Sequence, residues 1–465
     1  MSFVDIHQFT QTQLAEIAQG QLEQPLARVS QMAYEVSSHP RALSKVMASS
    51  ELDEVCRVAG QAMLPHLTRH DAKPNEDTWL FIATYLYDQG GHTRVLEDYI
   101  KFADGKKCIV LLTNPANGDP IIHKGDLYTD EVERLGASVE ICVGGNMAEK
   151  LHWLQQKIVD LNPARTFLFN HFYDSIAVAA AEAIAQGTGY LLHHADYRFS
   201  LGVYTTCLNH IDFHPAGLCL CRDKIKVANQ VYWPLSASDD GVRSVDSFYK
   251  NGRLTTGSSG APAKFAPPYP YNYFEYVPQI IAAVDGAHVH IGRLSDEQIA
   301  TVHQGLDERN LPRERFIHVP NVLSVWRALI EYGVDVYLPS FPVGGNKATL
   351  EAMGSGTPII SHVGMGDYRY LLGGDFIMYP DALRWRNPDE LGAALGMMQS
   401  VDVLQLHRLQ SRAHYDASFS ESLARQAINS SDLPYSSIPD FQLATFNPMS
   451  LQDFYFYEAY PVTVA

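Results

Sequence analysis

The sequence predicts an α/β protein with two open sheets that are preceded by a helical extension. Short apolar runs alternate with helical segments from about residue 76 onward, a pattern typical of parallel sheets covered by helices on both faces. A stretch rich in Ser, Gly, Pro and Tyr interrupts the alternation at about 234–272, as expected of a domain boundary. The length of 465 residues exceeds what one ordinary core supports, so two or three domains are expected.

The first part of the chain is expected to be helical. Between about residues 8 and 70, apolar residues recur every three to five positions, and Pro25 and Pro40 interrupt the run. We therefore assign residues 1–75 to a helical N-terminal extension. The aromatic tail, 436–465, is expected to form a helix that packs back on the first α/β domain.

Two α/β domains are assigned to 76–250 and 251–435. Strands are expected in the first at 79–85, 108–113, 139–143, 166–170 and 189–193, and in the second at 254–257, 287–291, 316–319, 334–338, 358–361 and 375–378. Ligands of open α/β sheets bind beyond the carboxyl ends of the strands. Two glycine pairs, Gly90–Gly91 and Gly344–Gly345, follow strands in this way, so we expect ligands in a cleft between the domains.

Composition excludes several classes of protein. The chain has 35 basic and 52 acidic residues, a formal charge of −17, which argues against general nucleic-acid binding. No signal peptide and no apolar run long enough to span a membrane are evident. Six cysteines are scattered without metal-type spacing, and GLCLC, with Cys219 and Cys221, is interpreted as a buried strand. Reduced core thiols of this kind indicate a cytoplasmic protein.

The segment Val334–His362 carries the clearest chemical pattern. It is predicted to form a strand, the Gly344–Gly345 loop, a helix capped near Asn346 that stops at the pair Gly354 and Gly356, and a second strand. A glycine-rich loop that leads into a helix N-terminus binds anions, because free amides and the helix dipole point at the ligand. Glu351, one turn further on, could accept hydrogen bonds from ribose hydroxyls. This pattern favours a nucleotide-diphosphate sugar, and the alternative is an ordinary βαβ crossover.

The order of these segments resembles that of GT-B glycosyltransferases over roughly residues 76–440. The second domain is most similar to the O-GlcNAc transferase and bacterial protein N-glucosyltransferase group. The segments that carry this resemblance are LTTGSSGAPAKF, AHVHIGR, FIHVPNV and VDVYLPSFPVGGNKATLEAMGSGTP, in that order. The resemblance implies two Rossmann-like domains facing a cleft and a hexosyltransferase activity.

The resemblance also implies a set of donor-binding residues. Lys264 would contact the diphosphate, Glu351 the ribose, and Asn321 with Val322 the edge of the nucleobase. The remaining members form the loop and the first helical turn that would enclose the diphosphate: Gly344, Gly345, Asn346, Lys347 and Ala348. Trp326 is either a ring that stacks on the base or a core aromatic.

One position departs from a related pattern. Retaining GT-B enzymes with a similar segment usually carry a second glutamate eight residues before Glu351, where this chain has Val343. The departure favours an inverting displacement. No DxD-like pair suggests a metal site, so the transfer is expected to need no metal and no cofactor besides the nucleotide sugar, with UDP-sugar as the expected donor.

The catalytic base is expected in the first domain. His193, His194 and Asp196 follow a strand in LLHHADYRFSLG, and His92 lies in the first glycine loop. His194, Asp196 and His92 are the candidates we select. His171 and Asp174, after the strand TFLFN, are further candidates.

Three functions stay open at this point. The first is transfer of a sugar to a protein side chain, a glycan or a small molecule. The second is a sugar-nucleotide 2-epimerase, which needs no acceptor. The third is a non-catalytic glycosyltransferase-like subunit that stabilises an enzyme, and a homo- or hetero-oligomer is compatible with all three.

Overall fold

The computed structural model describes residues 3–68, 73, 75–87, 91–114, 128–194, 197–249, 252–265, 269–364, 377–430 and 447–459. The chain divides into two compact units. Unit 1 comprises Met1–Trp233, Ile428–Ser431 and Phe441–Ala465, and unit 2 comprises Pro234–Ala427 and Asp432–Asp440. None of the helices in the described part of the chain combines the length and the apolar composition needed to cross a membrane.

Unit 1 is built on a parallel sheet of seven strands in the order β3-β2-β1-β4-β5-β6-β7. The strands are β1 (Asn75–Ala83), β2 (Lys107–Leu112), β3 (Ser138–Ile141), β4 (Pro163–Phe169), β5 (Gly189–Leu192), β6 (Asn209–Asp212) and β7 (Gln230–Tyr232). The central strand β1 is buried from Thr78 to Ala83, as expected for a parallel sheet with helices on both faces. This is the doubly wound order of a Rossmann-like domain.

The helices of unit 1 include the whole N-terminal part of the chain. They are α1 (Ile6–Ala18), α2 (Glu23–Ser38), α3 (Ser50–Met63), α4 (Gly91–Phe102), α5 (Thr129–Arg134), α6 (Met147–Leu161), α7 (Ser175–Ala180), α8 (Pro215–Leu220) and, at the end of the chain, α16 (Leu451–Ala459). Buried apolar residues of α1 to α3 share one core with β1, α6 and α7. The predicted N-terminal extension is therefore a helical layer of unit 1.

The C-terminal helix contributes to the same core. Leu451, Phe454 and Tyr455 are each only 2% exposed and belong to the cluster that contains Leu26. The backbone amide of Ile6 donates to Oε1 of Gln452 across 2.8 Å. The last described helix thus lies against the first one.

Unit 2 repeats the topology of unit 1 on a smaller scale. Its main parallel sheet has the order β10-β9-β8-β11, and a parallel bridge between Tyr337 and Ile359 connects it to the parallel pair β12-β13. The strands are β8 (Thr255–Ser259), β9 (Ala287–Ile291), β10 (Phe316–Val319), β11 (Val336–Tyr337), β12 (Ile360–His362) and β13 (Leu383–Trp385). The predicted α/β class with two Rossmann-like sheets is confirmed.

Unit 2 contains the helices α9 to α15 in the described part of the chain. They are α9 (Tyr273–Val284), α10 (Asp296–Asp307), α11 (Val325–Glu331), α12 (Asn346–Gly354), α13 (Pro388–Met398), α14 (Val401–Ser418) and α15 (Glu421–Ser430), the last of which ends in unit 1. Residues 234–249, which the sequence assigned to the first domain, belong to unit 2. Arg243 holds them there, because its guanidinium pairs with Asp335 at 3.0 Å and donates to the carbonyl oxygen of Val334.

Three local predictions differ from the structure. GLCLC is wrong as a strand: it lies in α8 and the helical turn Cys221–Ile225, because Pro215 opens a helix that the His214 side chain caps through the Gly217 amide. The helix that the apolar segment 175–186 predicts leaves α-helical geometry after Ala180. Of the strand expected at 375–378, only 377–378 are described and they are not in a strand; the strand found nearby is β13.

Candidate functional site

The carboxyl edge of the second sheet brings a lysine and the glycine loop together. Lys264 lies in a short 3-10 turn (Pro262–Lys264) that follows β8, while Gly344 and Gly345 follow β11. The Lys264 ammonium donates to the carbonyl oxygen of Gly344 across 3.0 Å. The amide of Val343 donates to the carbonyl oxygen of Lys264 across 3.3 Å. The two loops therefore hold each other in place.

Gly345 leaves the room that the lysine occupies. A Cβ atom at this position would lie 2.6 Å from Nζ of Lys264, so any larger residue would displace the ammonium group. Burial lowers the pKa of Lys264 from its ordinary 10.5 to about 8. The lysine is still mainly protonated at neutral pH, and a bound anion would stabilise its charge.

The glycine loop leads directly into α12. Gly345 is the N-cap residue, and the first intrahelical hydrogen bond runs from the Thr349 amide to the Gly345 carbonyl oxygen across 3.0 Å. The amides at 346–348 precede that bond, so they point out of the helix N-terminus, where the helix dipole favours an anion. The Lys264 ammonium and this helix end therefore provide positive charge at one place.

The expected cap of α12 by Asn346 is wrong. Asn346 is the first residue of the helix, and no side chain caps α12. Its Oδ1 atom is buried without a hydrogen-bond partner among the described residues. A glycine N-cap leaves the helix end open to a ligand instead of closing it with a side chain.

Glu351 lies in the interior of α12 and is only 8% exposed. Its carboxylate is therefore not solvated, unlike most glutamates on helix surfaces. Its backbone carbonyl accepts from the Ser355 amide. Burial raises the pKa of the Tyr337 hydroxyl, and the Glu351 charge adds to this effect, so the two side chains are close. The carboxylate is placed one and a half turns beyond the open end of the helix.

The neighbouring strands β8 to β10 end in a tightly packed edge. Gly292, after β9, has φ of +127°, and a Cβ atom there would lie 2.4 Å from the Gly260 carbonyl oxygen. His290 donates through Nε2 to that same oxygen across 3.1 Å, and His318 donates to the Gly292 carbonyl oxygen across 2.9 Å. The sequence reasoning missed these glycines and histidines, although the strand ends HVHIG and FIHVP place a histidine within two residues of each turn.

The remaining sequence-predicted residues of unit 2 lie nearby in the fold or in its core. Asn321 follows β10, where its Oδ1 accepts from Nε of Arg293 across 3.2 Å, and Val322 comes next. The Lys347 ammonium donates to the Ser236 carbonyl oxygen across 2.5 Å, so its side chain is used inside unit 2. Trp326 is fully buried, with its indole N–H on the Gly241 carbonyl oxygen, and is therefore a core aromatic.

Three histidines form a second cluster at the carboxyl edge of the sheet in unit 1. His92 lies in the first turn of α4, His171 follows β4 and His194 follows β5. The ring centroids of His92 and His194 are 4.2 Å apart, and those of His92 and His171 are 5.1 Å apart. The sequence selected His92 and His194 separately, and the structure brings them into contact.

All three imidazoles are held neutral. Burial lowers the pKa of His92 to about 4, and burial together with His92 lowers that of His171 to about 3. Burial, followed by the charges of His92, His171 and His193, brings the pKa of His194 well below its ordinary value of 6.5. Each ring can therefore accept a proton at neutral pH without first losing one.

Asp196 and Asp174 are the two acidic residues that the sequence suggested as catalytic bases. Asp196 lies outside the described residues. Asp174 is fully buried and has structural contacts: its carboxylate caps α7 through the Ala177 amide and accepts from the hydroxyl groups of Thr84 and Thr113. We therefore remove Asp174 from the catalytic candidates.

Comparisons with known proteins identify the fold. No protein-family model matches this chain, and no curated sequence does. A glycosyltransferase from Rickettsia africae ESF-5 superposes with a TM-score of 0.54 at 11% identity, covering 77% of this chain and 100% of that one. Anabaena HepE in complex with UDP gives a TM-score of 0.53 at 12% identity, covering 76% and 99%.

A mutant O-GlcNAc transferase of Thermobaculum terrenum also matches, with a TM-score of 0.49 at 14% identity over 92% of this chain and 82% of that one. At such identities the likeness to the first two proteins concerns the architecture. The GT-B fold expected from the sequence is confirmed.

Proposed function

We propose that this chain is a glycosyltransferase that moves a sugar from a nucleotide-diphosphate donor, UDP-sugar in the first instance, to an acceptor hydroxyl or amide. The observation that carries the proposal is the Lys264 ammonium, fixed 3.0 Å from the Gly344 carbonyl oxygen beside the open N-terminus of α12. The solved structure of Anabaena HepE with UDP, which shares the fold, supports the choice of a uridine nucleotide.

The proposed donor site uses three kinds of contact. The diphosphate would lie on the Lys264 ammonium and on the amides of Asn346, Lys347 and Ala348, a charged group and a helix end that together favour a dianion. The Gly344–Gly345 loop lets the phosphates approach the backbone. Glu351 would accept from the ribose hydroxyls, and the backbone at Asn321 and Val322 would meet the base edge.

We propose an inverting, metal-independent displacement. The acceptor atom bonds to the anomeric carbon as the bond from that carbon to the diphosphate oxygen breaks, and the acceptor proton passes to a base. Lys264 and the N-terminus of α12 would neutralise the charge that develops on the departing diphosphate. The apolar, buried Val343 side chain, 7% exposed, offers no carboxylate to the sugar, which supports inversion.

The base is proposed among His194, His92 and Asp196. Burial depresses the pKa of His194 and of His92, so both rings are neutral at pH 7 and keep a nitrogen lone pair for a proton. A bound acceptor that raises the pKa of either ring would make it a stronger base. The acceptor molecule is proposed to be a protein side chain or a glycan. This choice depends on the sequence resemblance of the second domain to protein-modifying transferases.

The decisive experiment is thermal unfolding of the wild type, Glu351→Ala and Lys264→Met with UDP, GDP, ADP, TDP and CMP. A nucleotide at a hundredfold its dissociation constant stabilises the folded state by about 2.7 kcal/mol. We expect UDP alone to raise the melting temperature of the wild type, and both variants to lose this response. Failure of every nucleotide to stabilise the wild type would refute the donor site and favour a non-catalytic partner subunit.

A second measurement separates transfer from epimerisation. The protein is incubated with UDP-GlcNAc or UDP-glucose without acceptor, and the sugar products are identified by nuclear magnetic resonance. A transferase should give at most slow hydrolysis to the free sugar. Appearance of a 2-epimer would assign the chain to the epimerase alternative.

A further inference from the structure

Unit 1 contains a second group of chemically active side chains, separate from the three-histidine cluster. His193, His210, Asp212 and Cys221 are all buried, and one potential ligand atom of each lies within 4.8 Å of the corresponding atom of every other. The group contains two imidazoles, one carboxylate and one thiol. We name it the His-Asp-Cys cluster.

Two strands and one helical turn place these residues together. His193 directly follows β5, and β5 pairs with β6 in parallel through Leu192 and Ile211. His210 and Asp212 are two residues apart on β6, so their side chains leave the same face of the sheet. Cys221 opens the helical turn that follows α8. The adjacent residues His193 and His194 therefore enter different clusters.

The spacing of the ligand atoms fits one small cation. Sγ of Cys221 lies 3.4 Å from Nδ1 of His193. Oδ1 of Asp212 lies 3.6 Å from Nε2 of His210 and 3.9 Å from Nδ1 of His193. When zinc-to-ligand bonds are 2.0 to 2.3 Å long, two ligand atoms of a tetrahedral site lie about 3.3 to 3.7 Å apart. These ligand-to-ligand distances are the edges of the tetrahedron. Two of these three spacings match the edges and the third exceeds them by about 0.2 Å, while the remaining pairs of ligand atoms lie within 4.8 Å of each other.

An independent observation indicates that the Asp212 carboxylate is prepared for a ligand. Its Oδ2 atom accepts from Nε2 of Gln230 across 2.5 Å, and the same nitrogen donates to the Leu218 carbonyl oxygen. Oδ1 is buried and has no partner of hydrogen-bonding geometry in the described part of the chain. Gln230 thus fixes the carboxylate from outside and directs Oδ1 into the cluster, as outer-shell residues do at metal sites.

We propose that His193, His210, Asp212 and Cys221 bind one zinc-type divalent ion as a structural site of unit 1. Two neutral imidazoles, a carboxylate and a thiolate carry two negative charges, which a divalent cation neutralises, so the buried complex has no net charge. Four protein ligands leave no open position for substrate, which is typical of structural zinc. The ion would hold the ends of β5 and β6 together next to His194.

The proposal does not change the metal independence proposed for sugar transfer. The donor residues lie in unit 2, whereas all four ligands lie in unit 1. The metal would act on stability and on the position of the strand that precedes His194. Its test therefore does not depend on the outcome of the donor-binding experiments.

The test measures bound metal in Cys221→Ser and in the matched control Cys219→Ser. Cys219 is also buried and lies two residues away, but it does not belong to the cluster. Protein purified without chelator is analysed by mass spectrometry for metals, with added Zn²⁺ as probe. We expect about one zinc per chain in the wild type and in Cys219→Ser, and a loss of most of it in Cys221→Ser.

Cobalt provides a readout that does not require a variant to fold. Co²⁺ loaded into the wild-type protein should show a thiolate-to-metal charge-transfer band together with the d–d bands of a four-coordinate ion. Cys221→Ser should lose the charge-transfer band and Cys219→Ser should keep it. A wild type that binds neither Zn²⁺ nor Co²⁺, or a Cys221→Ser protein that keeps a full equivalent and the band, would overturn the proposal.

Discussion

The Lys264 ammonium donates to the carbonyl oxygen of Gly344 across 3.0 Å, so the lysine of one loop is fixed on the backbone of another. The two loops leave β8 and β11, which are adjacent strands of the second sheet. A charged group that is held in place before the ligand arrives loses little conformational freedom on binding. The contact therefore connects the strand order of unit 2 with anion recognition.

Replacing Lys264 with methionine should weaken UDP binding about 10- to 100-fold, because a hydrogen bond to a charged group contributes roughly 1.5 to 3 kcal/mol. Methionine keeps most of the side-chain volume and removes the charge. Isothermal titration calorimetry with UDP checks the prediction. Lys157→Met in unit 1 is the control, since the Lys157 ammonium pairs with Glu140 across 2.6 Å, outside the proposed donor site; equal losses in both variants would indicate a non-specific effect of charge.

Gly345→Ala should weaken UDP binding without unfolding the protein. The new methyl group would lie 2.6 Å from Nζ of Lys264, so it displaces the end of a flexible side chain, and φ of −127° at this position suits alanine. Gly392→Ala in α13 is the control, because nothing lies within 4 Å of its Cβ position. Calorimetric binding together with a melting curve separates the two effects, and unchanged UDP affinity in Gly345→Ala would contradict the prediction.

The affinity for UDP should fall as the pH rises above about 8. The pKa of Lys264 in the free protein is about 8, so the ammonium loses its proton above that value and the binding constant approaches a tenfold decrease per pH unit. Lys264→Met should show no such decrease. Titrations at several pH values between about 6.5 and 9.5 check this.

The same depressed pKa predicts a stability effect of defined sign. Between about 8, the folded value, and 10.5, the ordinary value, the unfolded chain binds more protons than the folded one. Without ligand, the free energy of unfolding of the wild type should therefore rise with pH in this window relative to Lys264→Met. Denaturant unfolding at several pH values measures this slope, and a slope of the opposite sign would contradict the prediction.

His194→Ala should lower the transfer rate by about 10²- to 10⁴-fold, the range for loss of a general base, with little change in UDP affinity. Because the pKa of His194 is held well below 6.5, the wild-type rate should stay flat through the neutral range and decrease only at more acidic pH. His7→Ala, at an exposed position, is the control. A variant with full activity would remove His194 from the mechanism.

Asp335→Asn should destabilise unit 2 by about 3 to 5 kcal/mol, the usual cost of leaving a buried charge without its partner. Arg243 is 5% exposed and Asp335 is 2% exposed. Asp307→Asn is the control, because it removes a solvent-exposed pair with Arg313 and should leave the melting temperature nearly unchanged. Equal shifts of the melting temperature in the two variants would show that the buried Arg243–Asp335 pair stabilises the protein no more than an exposed pair does.

Local patterns predicted the donor region well. β9 and β10 were predicted with their observed bounds, because each is a short apolar run between turn residues. The N-terminus of α12 was predicted to within one residue, because its glycine loop and its helix are contiguous in the sequence. The contact between Lys264 and Gly344 spans 80 positions, and it was accessible only through the family resemblance.

Predictions failed where tertiary contacts decide the structure. GLCLC is apolar throughout, so its periodicity cannot separate a buried strand from a buried helix, and the cap by His214 is visible only in the fold. β6 and β7 were missed because their sequences, NHID and QVY, do not form the apolar run that indicates a strand. Without β6, the shared face of His210 and Asp212 could not be recognised, and the His-Asp-Cys cluster was missed with it.

The packing of α16 on α1 has a consequence for biosynthesis. The core of unit 1 includes Leu451, Phe454 and Tyr455, which are translated only after all of unit 2, whose last residue is Asp440. At roughly 5 to 20 residues per second, the more than 200 residues between Trp233 and Leu451 take about 10 to 40 seconds to synthesise. The core of unit 1 therefore stays incomplete until the whole of unit 2 has been translated, although most of unit 1 precedes unit 2 in the sequence.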